Sequence, residues 1–81
     1  MAANWLAQDH VAELRAARAW PDLGTREGLA VQAGIRFLWR EQIASMPVFG
    51  FRRVDVSVSL ATDPDAVAAR QVVILRHPGS Q

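Results

Sequence analysis

Asn4-Trp5-Leu6-Ala7-Gln8-Asp9-His10-Val11-Ala12-Glu13-Leu14-Arg15-Ala16-Ala17-Arg18-Ala19 is the stretch from which the fold is read. Ala, Leu, Gln, Glu and Arg dominate it, Gly and Pro are absent, and Pro21 stops it, which predicts a helix of about four turns over 4–19. At roughly 100° per residue its apolar side chains fall on two faces. Leu6, Ala7, Val11, Leu14 and Ala17 form one stripe, with His10 among them. Trp5, Ala12, Ala16 and Ala19 form a second, nearly opposite, interrupted by Asp9 and edged by Glu13. One helix face is enough to cover the core of a small domain. The second stripe has two readings here: a docking face, where small Ala residues let another helix approach with Trp5 as anchor, or Ala tolerated on any face beside a lone exposed Trp.

The rest of the chain reads as strands. Leu29 to Gln32 predicts a short strand, after a loop carrying Trp20, Pro21, Gly24 and Gly28, with Trp20 folding back over the helix end. Ala33-Gly34 predicts a two-residue hairpin turn. Ile35, Phe37, Trp39 and Ile43 alternate with Arg36, Arg40 and Gln42, so 35–44 is a half-buried strand. Leu38 on its polar side and Glu41 on its apolar side break the pattern. Val54, Val56, Val58 and Leu60 alternate without error against Arg53, Asp55, Ser57 and Ser59, giving a strand over 53–61. A turn at Thr62-Asp63-Pro64-Asp65 and a connection over 66–69 lead to a strand over 70–76, whose run Val72-Val73-Ile74-Leu75 suits an interior position. In the loop between the second and third strands, Met46 and Phe51 are expected to tuck in, and Val48 and Phe49 stay open between core and partner. The expectation is an α+β fold: one domain over 1–81, the helix packed on an antiparallel sheet of about four strands.

Composition narrows the function. The apolar fraction of 51% suits a globular fold. The nine basic residues are all Arg, they mix with eight acids for a net charge of +1, and this is no nucleic-acid footprint. With no Cys, a disulfide or thiolate metal site is ruled out. His10 and His77 make no metal site, and His10 is most simply a residue at the rim of the core. Asp63 and Asp65 flank a Pro as turn acids do. Ser45, Ser57 and Ser59 have no base nearby in sequence. The chain is read as non-enzymatic, with no cofactor and no metal. No run approaches the ~20 apolar residues of a membrane span.

Taken together, the motifs resemble the periplasmic domain of type II secretion minor pseudopilins of the I type (the GspI, PulI and XcpV family). The resemblance rests on Asn4-Trp5-Leu6-Ala7 with Glu13-Leu14-Arg15, then Trp20-Pro21 with Gly24, and Gly28. Ala33-Gly34, Phe37 with Trp39-Arg40, and Arg52-Arg53-Val54 with Val56 complete the series. Asp9-His10 stands where the family often has an Asn-Arg pair. The resemblance implies an apolar membrane helix ahead of this segment, an inner-membrane anchor and a periplasmic domain. It also implies assembly with J-type, then K-type and H-type minor pseudopilins at the tip of a pilus-like fibre. The contact positions expected are Trp5, Asp9, Ala12, Glu13, Ala16 and Ala19. The rival readings are a small cytosolic regulator or inhibitor and a ligand-binding module.

Overall fold

The computed structural model describes residues 2–17 and 20–78. A helix α1 (Ala2–Ala16) is followed by strands β1 (Gly24–Gln32), β2 (Ile35–Ser45), β3 (Phe51–Leu60) and β4 (Val67–Arg76). The four strands form one antiparallel meander in the order β1-β2-β3-β4. The helix lies on one face of the sheet, over β3 and β4.

The error-free alternation of β3 decides which face is inner. Val54, Val56 and Val58 are fully buried, and each stands beside an inward residue of β2: Ile43, Glu41 and Trp39 respectively. Val73 and Leu75 of β4 extend that layer. From the helix, Ala3, Leu6, Ala7 and Leu14 close over it, with Val11 partly buried. These are positions three, four and seven apart, one side of a helix. Ala17, assigned to this stripe from the sequence, is exposed just past the helix end.

Several elements differ from their sequence-based limits. The helix begins at Ala2, so Asn4 lies inside it and caps nothing; it ends at Ala16, and 18–19 lie outside the described residues. β1 starts at Gly24, five residues before the expected Leu29, because Gly24–Gly28 pair in register with Ile43–Trp39. The glycines that suggested a loop are strand residues, and Gly28 has a steric reason to be glycine. A Cβ there would sit 2.6 Å from Cζ2 of Trp39, whose indole lies across it. Such cross-strand cover of a glycine by an aromatic ring stabilises a weak edge position. At the β1–β2 turn both Ala33 (φ 54°) and Gly34 (φ 76°) are left-handed, as a type I′ hairpin requires.

β4 begins at Val67 rather than Arg70: the segment read as a connection pairs with β3 through an irregularity at Val58/Ser59. β4 is also an edge strand, not an interior one; its apolar run is explained by helix cover on Val73 and Leu75, while Val72 and Ile74 point outward and are exposed. Trp20 is partly buried against the edge of the core. Its ring takes the Arg52 guanidinium at 4.4 Å and the edge of His77 at 4.9 Å, while Arg52 donates to the Pro21 carbonyl. His77 is tied in further, its N–H donating to the Gly50 carbonyl at 2.8 Å. Met46 and Phe51 are half-buried; Val48 is exposed and Phe49 is 98% exposed.

Candidate partner interface

The helix engages its own sheet with one side only. Trp5 on the other side is 56% exposed, and Asp9, Ala12, Glu13 and Ala16 are exposed around it. Positions 5, 9, 12, 13 and 16 fall within about 100° of arc, so these residues form a continuous strip along the helix. Ala19, the sixth expected contact, lies outside the described residues. The strip is chemically suited to helix docking. Ala12 and Ala16, one turn apart, keep the backbone low, and Trp5 offers an indole with a large apolar surface. Asp9 and Glu13 mark its edge and carry no ion pair among the described residues.

The same edge leads to a cluster that sequence reasoning did not assemble. Glu41 points inward from the middle of β2 and is 1% exposed. Arg26 stands directly opposite it on β1, with Nη2 3.0 Å from Oε1. His10, reaching down from the helix, donates from Nδ1 to Oε2 at 3.3 Å, and its ring meets Trp39 at 4.6 Å. The Arg26 approach is close enough for an ion pair but makes no hydrogen bond, so the buried Oε1 accepts none among the described residues. The one signal in the sequence was Glu41 itself, an acid on the apolar face of an alternating strand. A buried carboxylate requires partners, but sequence spacing does not say that one comes from β1 and another from the helix.

A short N-terminal helix laid on a four-stranded antiparallel meander is the arrangement of a pilin-like domain. The family model described as type II secretion system (T2SS), protein I, matches residues 1–76. The chain belongs to that family, whose members are minor pseudopilins and structural components of the secretion machinery. Among solved structures, a chain of the GspK-GspI-GspJ complex from the enterotoxigenic Escherichia coli type 2 secretion system is similar at 28% identity. That match covers 93% of this chain and 89% of the other, with a TM-score of 0.71. Comparison with curated protein sequences gives no significant match. The family is associated with the cell envelope, and among the described residues no helix is long and apolar enough to cross a membrane.

Proposed function

We propose that this domain works by assembly and not by catalysis, docking in the periplasm against companion minor pseudopilins at the tip of the pseudopilus. A full-length protein anchored in the inner membrane is part of this reading. The J-type subunit docks first, followed by the K-type and H-type, and the complex initiates the fibre that supports export of folded proteins. Burial of the strip formed by Trp5, Ala12 and Ala16, with Ala19 as a further expected contact, supplies affinity, and Asp9 and Glu13 set register. The observation that carries the reading is Trp5, 56% exposed beside exposed alanines, on a helix whose opposite side buries Ala3, Leu6, Ala7 and Leu14 in this chain's own core. The similarity to a chain of a complex containing K-, I- and J-type subunits supports the choice of partners. The regulator and ligand-module readings gain no support from the family match.

The test is calorimetric titration of the chain with the periplasmic domain of its J-type companion. Ala12→Glu and Ala16→Glu leave the isolated domain folded, since both positions are exposed. Each is expected to weaken binding by about thirtyfold or more, as a charge placed in a desolvated helix contact costs about 2 kcal/mol. Wild-type affinity in both variants would remove the helix face from the interface.

A further inference from the structure

Glu41 is an unusual residue to bury in so small a domain. It stands between Trp39 and Ile43 on the inner face of β2, where an apolar side chain would fit the strand's pattern. Both of its oxygens face cations of the same chain, Oε1 the Arg26 guanidinium at 3.0 Å and Oε2 the His10 ring at 3.3 Å. Oε1 nevertheless accepts no hydrogen bond among the described residues, and Arg26 is itself half in solvent. A buried ion pair adds little to stability, and well-packed apolar residues in its place are often neutral or stabilising. Its best-attested use is register, the selection of one arrangement among several that apolar packing would accept.

The cluster also joins elements that packing leaves apart. The helix rests on β3 and β4, and buries Ala3, Leu6, Ala7 and Leu14. Such burial is non-directional, and two of the four are alanines, which form shallow ridges. The His10–Glu41 bond reaches past β3 to β2. Among the described residues it is the sole hydrogen bond between helix and sheet. A hydrogen bond, unlike apolar contact, demands both a distance and an angle. Trp39 meets the same imidazole at 4.6 Å, so two residues of β2 hold the ring. A helix turned by about 20° on its axis would carry its exposed side chains about 2 Å sideways. The bond opposes that turn.

We propose that Glu41 is a positioning residue for docking: neutralised by Arg26 from β1, it fixes the rotation of α1 on the sheet through His10. Trp5, Ala12 and Ala16 are thereby presented in one orientation, on the side of the helix that the sheet does not cover. The companion subunit then meets a preorganised face, with less to order on binding. The inference rests on the helix strip being the docking face, and adds the device that aims it.

The experiment replaces the bonded pair together in the full 81-residue chain, His10→Leu with Glu41→Met, so that no buried charge is stranded. Three quantities are read: the urea midpoint, the calorimetric affinity for the J-type periplasmic domain, and the indole N–H resonance of Trp5 in the free chain. The midpoint of the double variant is expected at or above that of the parent. Its affinity is expected to fall about tenfold, the loss of preorganisation, and its Trp5 resonance to broaden or double. Glu41→Gln, which still accepts from His10, is expected to bind within about threefold of the parent. A double variant with parental affinity and one sharp Trp5 resonance would overturn the proposal. So would a midpoint that falls together with affinity, which would make the cluster ordinary core support. A loss in Glu41→Gln as large as in the double variant would overturn it too, because the aiming bond survives there. Parental binding by Ala12→Glu would instead remove the docking face, while the Trp5 resonance, which needs no partner, still reports how α1 is seated.

Discussion

At the scale of single residues, the domain's least ordinary feature is the row Gly28–Trp39 next to the row Arg26–Glu41. A large ring and a buried acid occupy the inner face of β2, and β1 answers each: a missing side chain under the indole, a guanidinium beside the carboxylate. His10 ties both to the helix, its ring tilted against Trp39 and its Nδ1 bonding Glu41. Gly28→Ala therefore tests whether the indole is held. The new methyl would start 2.6 Å from the ring, and overpacking of this kind costs about 1–3 kcal/mol. The urea midpoint should fall accordingly, with Trp fluorescence shifting as the ring is pushed toward solvent. An unchanged midpoint would mean that the indole swings aside freely.

At the scale of elements, the β1–β2 hairpin is the place where sequence and backbone agree but do not match ideally. Ala33 occupies a left-handed position, which for a residue with a Cβ costs about 1–2 kcal/mol. Asn tolerates that conformation and Asn-Gly is the preferred pair for this turn. Ala33→Asn is expected to stabilise the domain by about 0.5–1 kcal/mol, read as a raised urea midpoint with an unchanged slope; a lowered midpoint would contradict the turn geometry. The hairpin was legible beforehand because Ala-Gly lies between alternating runs. The same held for the buried side of the helix and for β3 as far as Val58; past the irregularity at Val58/Ser59 the alternation fails, with Ser59 buried and Leu60 exposed. What remained hidden depended on pairing. Gly24–Gly28 carries a loop's composition and becomes a strand only because β2 offers it a ladder, and Val67–Ala69 joins β4 through an irregular register with β3. The exposed helix strip was visible as a second stripe, whereas the cluster around Glu41 draws on three elements and could be sensed only as one misplaced acid.

At the scale of the whole molecule, every strand pairs with its neighbour in sequence, and the helix closes back over β3 and β4. A chain ending after Ala66 would retain three strands but lose Val73 and Leu75 from beneath the helix. Loss of two such buried side chains, each worth about 1.5–3 kcal/mol of burial, is comparable with the whole stability of a domain this small. No cooperative melt is expected from that truncated chain by circular dichroism; a sharp transition near that of the parent would show that β3 alone suffices as the helix's seat. The lopsided seating also has a consequence in time. Synthesis proceeds from the N-terminus, so the greasy side of α1 leaves the ribosome well before the strands that will shelter it exist. For most of the chain's manufacture, that side of α1 has no sheet to lie on.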